Sequence, residues 1–97
     1  MDLYIKLRDG FSHDTVSIRV GSKEVYRKSG ISTDLSISFA DAVTVQVVEE
    51  VVDLVVTVDG GQSAGKRIRV DKTPFVDVWL LDGKMELRES KEEMPML

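Results

Sequence analysis

The 97-residue sequence predicts an all-β fold, an antiparallel two-sheet β-sandwich of about seven to nine short strands. Three observations lead there. Val, Ile and Thr supply 25 residues while Ala appears only at 40, 42 and 64; branched side chains crowd a helix turn and sit well on a pleated surface. Apolar and polar residues alternate with period two along most of the chain. Turn-forming residues recur at intervals of about eight to twelve positions, the spacing of sandwiches and small barrels. Leu, Ile, Val and Phe make up about a third of the residues, enough to build a core. The length fits one domain, 1–89, with the charged stretch 90–97 expected to be a flexible tail.

The strands follow in order. Leu3, Ile5 and Leu7 share a face opposed by Tyr4, Lys6 and Arg8. Val16, Ile18 and Val20 alternate with Thr15, Ser17 and Arg19, and Gly21-Ser22 offers a two-residue type II′ turn. That turn sets Val20 opposite Lys23, Arg19 opposite Glu24 and Ile18 opposite Val25, and it places Tyr26 opposite Ser17 on the outward side. Leu35, Ile37 and Phe39 read as a further strand, as do Val43, Val45 and Val47. Glu49-Glu50 is a candidate turn pairing Val47 with Val52 and Val45 with Leu54, although glutamate is poor at the positive φ such a turn requires; a longer loop fits equally well. Leu54, Val56 and Val58 form the next strand, followed by Ile68 and Val70. Asp82-Gly83 suits a type I′ turn and pairs Leu80 with Met85, Val78 with Leu87 and Asp77 with Arg88.

Charge and composition exclude several functions. The net charge is -4, each half of the chain sums to -2, and no basic lobe exists to follow a phosphate backbone, so neither nucleic acid nor membrane is an expected partner. The absence of cysteine removes disulfides, thiolate nucleophiles and sulfur-ligated zinc. The first residues form no signal peptide and no apolar run spans a bilayer, which makes the cytoplasm the default expectation.

Motifs that invite a chemical reading have simpler explanations. Gly60-Gly61-Gln62-Ser63-Ala64-Gly65-Lys66 has the spacing of a phosphate loop, but Arg67 stands where a magnesium-binding hydroxyl belongs and a strand follows where a helix is needed. It reads as a hairpin loop. Asp9-Gly10-Phe11-Ser12-His13-Asp14 offers two carboxylates and the only histidine, too few ligands for calcium without outside help and no serine elbow for a triad. Lys66, Arg67, Arg69 and Lys72 read as charges protecting an edge. No catalytic residue, metal ligand or cofactor is therefore expected, and the chain reads as a non-enzyme.

The Asp82-Gly83 register carries the functional expectation. It turns Val76, Val78 and Leu80 inward and Phe75, Asp77, Trp79 and Leu81 outward, since an acid does not belong in a dry interior. Trp79, Leu81, Tyr26 and Tyr4 are then candidate binding residues on outward faces, tryptophan being enriched at interface hot spots.

Over residues 3–89 the pattern resembles immunoglobulin-like and transthyretin-like sandwiches in general, without the cysteine pair and inter-sheet tryptophan of antibody domains. The resemblance implies architecture and carries no functional residue across. The expected function is a binding or assembly module working through protein–protein contacts, with a protein partner or a second copy, on an exposed sheet face or edge. A carbohydrate-binding sandwich that stacks sugars on its outward aromatics is the alternative.

Overall fold

A computed structural model describes residues 1–93, and among them every regular element is a strand. The strands are β1 (Asp2–Leu7), β2 (Asp14–Val20), β3 (Lys23–Ile31), β4 (Asp41–Gln46), β5 (Val51–Val58), β6 (Ser63–Arg69), β7 (Phe75–Leu81) and β8 (Lys84–Ser90). They form two four-stranded sheets, ordered β4-β1-β7-β8 (sheet A) and β3-β2-β5-β6 (sheet B). Sheet B is antiparallel throughout. Sheet A is mixed, because β1 runs parallel to β7, which corrects the expectation of a wholly antiparallel fold. That pairing joins strands at opposite ends of the sequence, which no local turn signal announces.

The alternation of branched residues becomes the core. Leu3, Ile5 and Leu7 of β1 pack with Val76 and Val78 of β7, and from sheet B with Val16, Ile18, Leu54, Val56 and Ile68; all are essentially inaccessible to water. Burying side chains of this size stabilises by roughly 1.5–3 kcal/mol each.

The Asp82-Gly83 hairpin has the register expected of it, with Asp82 and Gly83 at φ 51° and 75° as type I′ requires. At Gly21-Ser22 the first two pairs agree, but a bulge then shifts the ladder so that Ile18 meets Tyr26 and Ser17 meets Arg27. The Glu49-Glu50 hairpin does not form: β4 pairs with β1 and β5 with β2, so this connection crosses between sheets. Val47 already exchanges both of its backbone hydrogen bonds with Met1. Nor is Leu35 to Phe39 a strand. Asp34 Oδ1 accepts hydrogen bonds from the Ser36 N–H and hydroxyl, and Ser38 sits at φ 55°, so local side-chain bonding bends the chain and leaves only an Asp34/Phe39 bridge.

β8 runs through Ser90, whose hydroxyl donates to the Glu92 carbonyl and accepts the Glu92 N–H. Glu93 reaches back to Lys6, and the part of the expected flexible tail at 94–97 lies outside the described residues.

A tyrosine–carboxylate hydrogen bond bridges the two sheets at one edge and makes stability depend on pH. The Tyr26 hydroxyl donates to Asp41 Oδ2 at 2.7 Å, with Lys28 Nζ at 3.5 Å. Burial, then the neighbouring Asp41 carboxylate, push the Tyr26 pKa up. Burial works against ionised Asp41, but bonds from Tyr26 and the Ala42 N–H together with Lys28 outweigh it, and its pKa falls. Tyr26 therefore contributes stability that is present below pH of about 10 and lost above it, and Asp41 contributes stability lost as pH drops below about 4. Tyr26→Phe should cost about 1 kcal/mol at neutral pH and flatten the alkaline decline. Urea denaturation at a series of pH values measures both, and an unchanged alkaline limb would count against the assignment.

Candidate functional site

The outer face of sheet A collects most of the aromatic candidates. Strand alternation sends Phe75, Asp77, Trp79 and Leu81 of β7 to the side opposite the core residues Val76 and Val78. The parallel register sets Tyr4 beside Phe75 and Lys6 beside Asp77. β8 adds Glu86 opposite Trp79 and Arg88 opposite Asp77.

Tyr4 and Phe75 stack with ring centroids 4.8 Å apart and planes inclined by 15°. Trp79 is half-buried, and two guanidinium groups approach its ring: Arg8 Cζ lies 5.3 Å and Arg88 Cζ 5.2 Å from the centroid. Each approach is worth about 0.5–1 kcal/mol, more where water is excluded. Leu81 follows on the same strand face and is 44% exposed.

Beneath this surface lies a charge pair hidden from water. Arg8 Nη1 sits 2.6 Å from Asp77 Oδ2, with side chains only 5% and 3% exposed. Arg8 Nε donates to the Ser38 carbonyl at 2.6 Å, so the β3–β4 connection lies against this end of the sheet. Asp77 thus faces away from the inter-sheet core, as expected, yet it is buried. Its ion partner is Arg8; Arg88, opposite it in the ladder, instead pairs with Glu86 at 2.8 Å. The sequence offered no cue to Arg8 as a site residue, since the signal that identifies it is the nonlocal β1/β7 pairing.

The four candidates divide between sheets. Trp79, Leu81 and Tyr4 share the outer face of sheet A. Tyr26 is on β3 of sheet B, and the bulge sets it against the core with its hydroxyl held by Asp41, which corrects its outward placement.

The polar loop residues are engaged locally. His13 is exposed at φ 51° with its N–H on Ser32 Oγ, Asp14 accepts the Ser12 N–H, and Asp9 accepts the Ser38 hydroxyl. Among the described residues no group of three or more acids and histidines is placed to hold a metal ion. In the former phosphate-loop motif, Lys66 belongs to β6 and points to Glu89 at 3.7 Å.

Comparison of the chain with family models, with curated proteins and with solved structures gave no match.

Proposed function

We propose that this protein is a non-catalytic binding or assembly module that makes protein–protein contacts through the outer face of sheet A, or along an exposed sheet edge. The observation that carries the reading is Trp79 on that face, oriented by Arg8 and Arg88, with exposed Leu81 beside it. Trp, Tyr and Arg around an aliphatic contact are the residue types that dominate interface energetics. The ion pair beneath holds Arg8 in place before any partner arrives, so little side-chain freedom remains to be lost on binding. The carbohydrate reading keeps Trp79 and Tyr4 on one face, but the Tyr4 ring is already stacked on Phe75 and Tyr26 belongs to the other sheet, which favours a protein partner.

We read the sandwich as transthyretin-like rather than immunoglobulin-like. Immunoglobulin domains place strands one, two, four and five in one sheet; here β1 and β4 belong to sheet A and β2 and β5 to sheet B.

Leu81→Lys tests the function. Leu81 is exposed, so the variant should unfold at the wild-type temperature while losing a protein retained by immobilised wild type. Identical retention by both ends the outer-face reading and leaves the sheet edge as the contact. A monomer whose Trp79 emission shifts with a soluble glycan moves it to carbohydrate.

A further inference from the structure

Four strands end the two sheets: β3 and β6 in sheet B, β4 and β8 in sheet A. Exposed edges invite pairing with another chain unless charge, bulges or cover prevent it. β3 carries Lys23, Glu24, Arg27 and Lys28 and two register shifts. β6 carries Lys66, Arg67 and Arg69. β8 carries Lys84, Glu86, Arg88 and Glu89 and is tied to β6 by Lys66–Glu89. β4 has Asp41 at its first position and then Ala42-Val43-Thr44-Val45-Gln46, without charge and without a register shift.

The hydrogen-bond phase of β4 is fixed by its neighbour. Met1 and Val47 exchange both backbone bonds, so the alternation directs Val45 and Val43 at β1 and turns the N–H and C=O groups of Ala42, Thr44 and Gln46 outward. Asp41 Oδ1 takes the Ala42 N–H, which agrees with that phase. Next to the open row, the sandwich gapes. Tyr26 and Lys28 bridge to Asp41, and beyond them a cavity of about 520 Å³ opens, lined by Val20, Val25 and Val45 together with Lys23, Glu49 and Asp53.

We propose that β4 pairs antiparallel with β4 of a second copy of this chain about a two-fold axis at Thr44. This deepens the proposed function, on which it rests, by assigning one edge and one partner. The strand is complementary to itself in that register. Thr44 meets Thr44, a favourable cross-strand pair, Val43 meets Val45 on the inner face, and Ala42 meets Gln46 on the outer face. No two like charges oppose one another. With the Ala42 N–H left on Asp41, two bonds between the Thr44 residues and two from Gln46 N–H to Ala42 C=O remain available. Val45 of each copy borders its cavity, and the two A sheets become one of eight strands. Alternating side chains into a groove beside a paired edge is how strands are added to sheets elsewhere. A six-residue edge makes a small interface, so association belongs to the weak end of the scale.

Light scattering across a concentration series reaching the millimolar range should show dimers for wild type. Thr44→Lys, at an exposed position, sets like charges together across the axis and should weaken association by about tenfold or more without lowering the unfolding temperature. Because the chain lacks cysteine, Thr44→Cys reports the contact directly. Its Cα partner would lie about 5.5 Å away, within disulfide range. It should form an intermolecular disulfide far faster than Ser22→Cys on the β2–β3 turn. A wild type monomeric at every concentration, a Thr44→Lys variant that associates normally, or equal crosslinking of the two cysteine variants overturns the inference. Association abolished by Leu81→Lys but not by Thr44→Lys also overturns it, and in that case supports the outer-face reading. A monomer leaves the Leu81→Lys retention test standing.

Discussion

Arg8→Ala is expected to lower the free energy of unfolding by about 3–5 kcal/mol, because it leaves the Asp77 carboxylate charged, buried and without its guanidinium. That is a large share of the roughly 5–15 kcal/mol that holds a domain of this kind folded. Asp77→Ala should cost less, because the guanidinium keeps its bond to the Ser38 carbonyl. Replacing both with apolar residues of similar volume should return most of the loss, since attraction between buried ions only offsets the cost of removing them from water. Arg8→Lys should behave more like Arg8→Ala than like wild type. One ammonium does not reproduce a fork that serves Asp77 with Nη1 and the Ser38 carbonyl with Nε while its plane lies near Trp79. Urea denaturation followed by the fluorescence of the single tryptophan measures all four variants. A loss below about 1 kcal/mol for Arg8→Ala would show that water reaches Asp77 and that the pair is not sealed.

Gly10→Ala should be as damaging, for a different reason. Gly10 lies at φ 102°, and a Cβ built on it falls 1.6 Å from the Leu80 carbonyl oxygen. The obstacle is backbone, held where Leu80 N–H donates to the Asp9 carbonyl at 2.9 Å, so a rotamer change gives no relief. Backbone strain alone accounts for about 1–3 kcal/mol, and displacing the end of β7 adds to it. Gly83→Ala supplies the contrast. Gly83 also has positive φ, 75°, but an added Cβ meets nothing within 4 Å, so only the conformational cost of about 1–2 kcal/mol applies. Thermal melts that rank the two equally would mean that the β1–β2 loop gives way without disturbing β7.

What the sequence revealed depended on the range of the interaction concerned. Asp82-Gly83 dictated its own turn, and every pair of the β7/β8 ladder followed from it. Period two located the core faces of β1, β2, β5 and β7 for the same reason, since burial on one face needs no knowledge of the neighbour. Alternation misled at Leu35 to Phe39, where Asp34 and Ser36 bond to each other and Leu35 ends up 77% exposed. Glu49-Glu50 misled differently. Val47 and Val52 both enter the core, but from opposite sheets, and a hydrophobic pattern does not distinguish pairing from packing. The side of Trp79 was legible from the register. Its two arginines were not equally so: Arg88 lies on the hairpin partner, whereas Arg8 arrives through the β1/β7 pairing. A fully buried arginine also runs against the usual distribution of that residue.

The position of β1 orders the events of folding. Sheet B is complete once residue 69 has been made, and each of its neighbouring strands meets an antiparallel partner. Sheet A waits, because β1, made before every other strand of the two sheets, finds its parallel neighbour only when β7 emerges. Until β7 emerges, the growing chain exposes one side of Leu3, Ile5 and Leu7, with no more than the β4 hydrogen bonds beside them.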